Sequence, residues 1–110
     1  MFNPDFTFFT YTNASGTWPG FVLKLATGTT ADSAKTAIKK IEMNNELNTL
    51  FLVDPGAPKT WKDGKFGTFS GRYLTYSLLG ASLNYGWNGD TLIVSTNYAG
   101  AQEAAKRTGL

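Results

Sequence analysis

The segment that decides the fold is Tyr85–Arg107, with the sequence YGWNGDTLIVSTNYAGAQEAAKR. Two β-rich runs flank Asn88-Gly89, a dipeptide that favours the type I′ turn of a two-residue hairpin. Polar residues suited to capping and an alanine-rich run follow. The segment therefore predicts a strand, a tight turn, a second strand and a helix in direct succession.

The second strand and the helix are specified to different degrees. In the strand, either Ile93 or its neighbours Leu92 and Val94 face the core, and the pattern does not decide which. Three residues can cap the helix: Ser95, Thr96 and Asn97. The inner face of the helix is a stripe of mostly small residues: Tyr98, Ala101, Ala104 and Ala105. Because the stripe is mostly alanine, we expect the helix to approach the sheet closely.

The first part of the chain also places strands before a helix. Aromatic and β-branched residues indicate strands at Phe6–Tyr11 and Phe21–Leu25. Thr29 and Asp32 then approximate a capping box. The helix that follows has apolar residues at helical spacing: Ala34, Ala37, Ile38 and Ile41.

The middle of the chain is less regular. The apolar run Leu50–Val53 is typical of a short buried strand, and Asp63-Gly64 favours a hairpin turn. Arg72–Leu78 alternates as a further strand. Together these elements predict one domain over residues 1–110 with an α+β fold. We expect a mainly antiparallel sheet with two helices packed on one face, in the order ββαβ-βββα. An all-β sandwich is the weaker alternative, because it leaves both helical stripes unexplained.

Composition excludes several kinds of chemistry. The chain has no Cys and no His, which excludes disulfides, thiolate catalysis, zinc–thiolate sites and His-based triads. We expect no cofactor and no metal site. The net charge of +2 is too small to indicate a nucleic-acid partner. No apolar stretch reaches the roughly 18 residues of a membrane-spanning helix.

The best candidate contact site is the polar loop around Trp61, which is flanked by Lys59, Lys62 and Lys65. A Trp between cations can stack on a sugar ring, a base or a peptide. Alternatively, Trp61 folds back over the sheet while the lysines keep the loop soluble. Tyr73 and Tyr76 extend the aromatic surface and complete a candidate site for a glycan or a peptide.

Two other functions have weaker support. An open aromatic sheet face resembles single-strand-binding platforms, and its members are Tyr73, Tyr76, Tyr85, Trp87, Arg72 and Lys24. No nucleic acid is expected, because the charge is low and no RNP-type motif is present. A carboxylate pair such as Asp54 and Asp63 can act in glycoside hydrolysis. Their spacing does not show that they converge, so we do not expect an enzyme.

Three fragments together resemble a known group: WPGFVLKL at Trp18–Leu25, RYLTYS at Arg72–Ser77 and GDTLIVSTN at Gly89–Asn97. The pattern is similar to a loose group of uncharacterised bacterial domains of unknown function, and the likeness covers most of residues 18–107. Such domains are typically extracytoplasmic portions of membrane-anchored proteins. The resemblance implies a non-enzymatic module of the cell envelope. It carries over no functional residues.

These observations favour a non-catalytic, extracytoplasmic module that binds or scaffolds a protein or glycan partner. A glycan- or peptide-binding domain that uses the aromatic and lysine surface is the alternative, and a small carboxylate-dependent hydrolase is the third. The aromatic strand Phe6–Tyr11 also allows a homo-oligomer to form through a sheet edge.

Overall fold

The structure, a computed structural model, describes residues 2–4, 6–44, 47–66 and 69–107. It contains six strands, which are β1 (Thr7–Asn13), β2 (Gly16–Lys24), β3 (Lys62–Phe66), β4 (Phe69–Thr75), β5 (Ser82–Asn88) and β6 (Thr91–Ser95). Its helices are α1 (Ala31–Lys39) and α2 (Tyr98–Arg107), with 3₁₀ helices at Lys40–Met43 and Leu47–Leu50. The strands form one sheet in the order β1-β2-β6-β5-β4-β3, and all neighbours are antiparallel. The α+β fold with an antiparallel sheet and two helices is confirmed.

Helical segments contact the sheet on both of its faces. The alanines of α2 pack with Ile93. Along a strand, neighbouring residues point to opposite faces, so Val94 and its cross-strand partner Tyr85 lie on the other side. There Tyr85 and Arg72 bond to Glu42, which belongs to the 3₁₀ helix that directly continues α1.

This double coverage answers the question that the β6 pattern left open. Ile93 is fully buried beneath α2, and Leu92 is buried on the opposite face. Neither residue is therefore the single inward one. A strand buried on both faces has a continuous apolar run rather than alternation, and Leu92–Val94 is such a run.

The apolar run Leu50–Val53 is not a strand, contrary to prediction. Leu50 ends the second 3₁₀ helix, and bends follow. Only Phe51 is buried, with its ring edge-on to Trp18 and Tyr76. The run acts through this one aromatic ring, which packs between other elements of the core.

The prediction of a hairpin turn at Asp63-Gly64 is also wrong, because both residues lie within β3. Gly64 pairs with Gly71, and Asp63 pairs with Arg72. A Cβ on Gly64 would lie 2.8 Å from the ring of Tyr73. Glycine is therefore required here because an aromatic ring from β4 covers the backbone, an arrangement that stabilises glycine in strands. β4 itself ends at Thr75, short of the predicted Leu78.

The hairpin between β5 and β6 is present, but its turn differs from the expected type. Asn88 pairs with Thr91, so the two loop residues are Gly89 and Asp90. Gly89 has φ of 59°, whereas Asp90 does not have a positive φ. Type I′ requires positive φ at both central residues, so glycine at the first position indicates type II′.

Both helices begin with side-chain caps. Thr30, rather than the predicted Thr29, caps α1 by accepting a hydrogen bond from the Ser33 N–H. Among the three candidates for α2, Asn97 is the cap, because its Oδ1 accepts from the Gly100 N–H at 3.0 Å. Both contacts satisfy N–H groups that the first turn of a helix leaves without partners.

Candidate functional site

A charged cluster joins the first 3₁₀ helix to the sheet. Arg72 donates two hydrogen bonds to the Glu42 carboxylate, from Nη2 at 2.7 Å and from Nε at 3.0 Å. Its Nη1 donates to Asp63 at 2.9 Å, and the Tyr85 hydroxyl also donates to Glu42. The Glu42 side chain is only 10% exposed, whereas that of Asp63 is 90% exposed. The bidentate pair with Glu42 is therefore the part shielded from water.

These contacts fix the protonation of the cluster. The hydrogen bonds from Arg72 hold the pKa of Glu42 below its ordinary value. Burial, reinforced by the Glu42 carboxylate, raises the pKa of Tyr85. At neutral pH Glu42 is thus an ionised acceptor and Tyr85 a protonated donor. The arrangement ties Lys40–Met43 to β4 and β5.

Trp61 folds back over the sheet instead of standing free in its loop. Its indole N–H donates to the Glu42 carbonyl at 3.2 Å, and its ring packs edge-on to Tyr85 with centroids 5.7 Å apart. Trp61 lines a cavity of about 300 Å³ together with Lys59 and Tyr76. Most of its polar and stacking capacity is therefore engaged within the domain.

A larger groove of about 710 Å³ opens on the face of the sheet that carries α2. Its floor comes from β3 and β4, and its walls come from the loop after β4 and from the start of α2. It is lined by Lys59, Asp63, Gly64, Tyr73, Thr75, Tyr76, Ser77, Leu78, Leu79, Gly80, Ala81, Ser82, Asn97 and Tyr98. This lining combines apolar side chains with a few polar groups, as is typical of ligand sites.

The loop beside the groove is held by hydrogen bonds at both ends. The Ala81 N–H donates to the Leu78 carbonyl, and Gly80 has φ of 88°, which forms a tight turn with Leu79 at its tip. The Leu78 N–H donates to Pro55 at 3.0 Å. Asn97 Nδ2 donates to the Gly80 carbonyl at 2.7 Å. Leu79 is nevertheless 84% exposed, so this turn presents an apolar side chain to solvent.

The structure divides the residues that the sequence grouped together. Tyr73, Tyr76 and Lys59 line the large groove. Trp61 lines the smaller cavity, to which Lys59 and Tyr76 also contribute. The two remaining predicted residues, Lys62 and Lys65, are exposed on β3 and line neither space.

The groove residues that sequence reasoning missed include Leu78, Leu79, Asn97 and Tyr98. Tyr98 was placed on the inner stripe of α2, but it is 41% exposed. Its hydroxyl reaches the Lys65 carbonyl at 2.7 Å. The sequence feature that could have indicated the groove is the apolar pair Leu78-Leu79 directly before Gly80. A turn does not require leucine at these positions, so the pair suggests a contact with something outside the turn.

The two alternative surfaces are not assembled as single sites. Tyr73 pairs with Asn84, whereas Arg72 pairs with Tyr85, so Tyr73 and Tyr85 lie on opposite faces of the sheet. Asp54 accepts a hydrogen bond from the Gly56 N–H, while Asp63 binds Arg72. Within the described ranges, no group of three or more acidic residues could hold a metal ion.

Comparison with protein-family models, with curated proteins and with solved structures found no match to this chain. The resemblance to extracytoplasmic bacterial domains stays a prediction. Across residues 2–4, 6–44, 47–66 and 69–107, no helix has the length and apolar character needed to cross a membrane.

Proposed function

We propose that the protein is a non-catalytic binding module that holds an extended peptide segment of a partner protein in the groove between β3–β4 and α2. The observation that carries this proposal is the exposed pair Leu78 and Leu79 on a turn pinned at the edge of that groove. Contiguous exposed apolar patches on soluble domains mark interaction sites when they are large, and a groove lined by such side chains is a favourable place for one.

Three large side chains supply the apolar contact area. Leu79 is 84% exposed, Tyr98 41% and Leu78 40%, and all three line the same groove. Full burial of an exposed leucine side chain is worth about 1.5–3 kcal/mol, and Leu79 comes nearest to that case. The turn and the helix start that carry them are joined through Asn97, so little ordering is needed when a partner binds.

The polar part of the groove suits a peptide better than a glycan. Lys59 places a positive charge beside the groove, and Asn97 lies between the turn and α2. Glycan sites commonly offer an exposed flat aromatic ring. Here Trp61 is packed against Tyr85, and the ring of Tyr73 covers Gly64. The backbone of a bound peptide can form hydrogen bonds with scattered donors and acceptors, and its apolar side chains can pack against the leucines.

The non-catalytic and extracytoplasmic parts of the proposal rest on the sequence. The absence of Cys and His supports the first, as does the separate engagement of Asp54 and Asp63. The second is supported by the likeness of three fragments to extracytoplasmic bacterial domains. We propose a place in the cell envelope on that basis.

The test begins with selection of binding sequences from a random peptide display library on the full chain. Affinities of the selected peptides are then measured by fluorescence anisotropy for the wild type and for Leu79→Asp. The change removes an apolar contact that becomes buried when the peptide binds, and it adds a charge at that position. We therefore expect binding to weaken by about tenfold or more.

The matched control is Leu52→Asp, which makes the same change at an exposed leucine outside the groove. It should leave affinity unchanged. Equal affinity of Leu79→Asp and wild type would refute the site. Binding to a glycan panel with no selectable peptide would refute the ligand class and return attention to the lysines around Trp61.

A further inference from the structure

The two edges of the sheet have very different chemistry. The β3 edge has the sequence KDGKF, in which three of five residues are charged. Its Lys65 carbonyl already accepts a hydrogen bond from the Tyr98 hydroxyl. Charges and covered backbone groups are the usual means by which natural sheets prevent strand addition. The β3 edge is therefore protected.

The β1 edge has none of these protections. Its seven residues, TFFTYTN, include no charge, no proline and no glycine. Phe8 is 55% exposed, as is the preceding Phe6. Both rings contact Phe21 on β2, with centroids 5.4 Å and 6.1 Å away respectively. An uncharged aromatic edge of this length is a template for another strand.

The backbone direction along β1 follows from the opposite side of β2. The Thr96 N–H donates to the Pro19 carbonyl, so the backbone carbonyl of Pro19 is directed toward β6. The backbone N–H and C=O groups of its neighbours Trp18 and Gly20 are consequently directed toward β1, where these residues pair with Tyr11 and Phe9. Backbone bonding alternates along a strand. The N–H and C=O groups that face away from the sheet are therefore those of Phe8, Thr10 and Thr12.

We propose that two copies of this chain associate through antiparallel pairing of their β1 strands about a twofold axis at Thr10. This register opposes Thr10 to Thr10 and Phe8 to Thr12, so every outward-facing backbone group meets another one. It also uses all seven residues of β1, whereas registers centred on other residues leave part of the strand unpaired. The two sheets become one continuous sheet.

The side chains favour the same register. On the face that carries α2, Phe9 of one copy meets Tyr11 of the other, and the symmetry repeats the contact. Both residues line a cleft of about 240 Å³ between β1 and α2, and the second copy closes its open side. On the other face, Phe8 meets Thr12. Aromatic and β-branched cross-strand pairs are among the favourable ones.

The first test is sedimentation velocity of the full chain from about 5 to 500 μM, a range suited to a small interface. We expect a reversible monomer–dimer equilibrium. Thr10→Lys opposes two like charges at the twofold axis and should raise the dissociation constant about fivefold. Thr36→Lys adds the same charge at an exposed position of α1 and should leave it unchanged. A monomer throughout, or a dimer indifferent to Thr10→Lys, would overturn the proposal.

The second test examines the register by disulfide cross-linking. Because the chain has no native Cys, a single introduced Cys can form a disulfide only with its copy in the other chain. In Thr10→Cys the two thiols lie opposite each other, so oxidation should give a disulfide-linked dimer. In Thr12→Cys they are offset by four residues, or about 13 Å at 3.3 Å per residue, beyond disulfide reach. Equal cross-linking of the two variants would contradict the twofold axis at Thr10. Circular dichroism of both variants checks that they fold.

Discussion

Replacement of Arg72 by methionine should destabilise the domain by about 2–4 kcal/mol. The side chain of Arg72 binds Glu42 through two hydrogen bonds and Asp63 through one. Methionine keeps much of the aliphatic packing but removes all three bonds. The Glu42 carboxylate, 10% exposed, then retains the Tyr85 hydroxyl but loses its countercharge.

The magnitude follows from the burial of each partner. Removal of one member of a buried ion pair typically costs about 3–5 kcal/mol, because the other charge remains uncompensated. Arg72 is 25% exposed, so water replaces part of the lost interaction and lowers the expected cost. Asp63 is 90% exposed, and an exposed ion pair contributes about 0–1 kcal/mol. Asp63→Asn should therefore have little effect.

The assay is urea unfolding followed by tryptophan fluorescence, to which Trp18, Trp61 and Trp87 contribute. Free energies of unfolding come from linear extrapolation with the slope checked for each variant. The double variant Arg72→Met/Glu42→Gln should be more stable than the sum of its single changes predicts, since the uncompensated carboxylate is absent.

Two results would refute this reasoning. One is a cost below about 1 kcal/mol for Arg72→Met, which would mean that the pair is effectively solvated. The other is an equal cost for Arg72→Met and Asp63→Asn, which would mean that burial does not distinguish the two carboxylates.

Two further predictions concern acid sensitivity and backbone space. The pKa of Glu42 is lowered in the folded state, so the contribution of Glu42 to stability is complete above its ordinary pKa of 4.5 and is lost as pH falls through the folded pKa. Between about pH 7 and 3, the urea midpoint should therefore decline less for Glu42→Gln than for wild type. Parallel declines of the two proteins would contradict this prediction. A Cβ on Gly20 would lie 2.2 Å from the ring of Phe9, so Gly20→Ala should cost about 1–3 kcal/mol by overpacking. Adding Phe9→Ala should relieve the clash, and purely additive losses in the double variant would argue against it.

Local signals predicted the part of the fold that depends on local interactions. The β5–β6 hairpin and α2 follow from Gly89, the Asn97 cap and the alanine stripe, all of which act within a few residues. The β3 strand could not be predicted in this way. Its sequence, KDGKF, has the composition of a turn, and it becomes a strand because β4 pairs with it and Tyr73 covers Gly64. Those contacts are not visible in the segment itself.

The apolar runs show a similar division. Leu50–Val53 and Leu92–Val94 are alike in composition, yet the first is a 3₁₀ end with bends and the second is a central strand. Leu92–Val94 forms a strand because β2 and β5 pair with it on either side, whereas Leu50–Val53 has no strand partner. The continuous run in β6 did contain the signal for coverage on both faces. It was consistent with helical segments on opposite sides of the sheet.

The candidate site was predictable only in part. Lys59, Tyr73 and Tyr76 were identified from composition, and they line the groove. Trp61 was the most prominent residue of its loop, but its side chain bonds to Glu42, a partner 19 residues away that no local pattern indicates. Leu79 depends on a turn held by Pro55 and Asn97, so its exposure is a tertiary property.

The most direct test of the peptide-binding groove is a chemical-shift titration of the ¹⁵N-labelled chain with the tightest peptide from the display selection. The account predicts that the largest shifts occur at residues 75–82 and at Asn97 and Tyr98, and that those around Trp61 and along β1 remain small. The largest shifts along β1 or around Trp61, with the 75–82 segment unaffected, would contradict it.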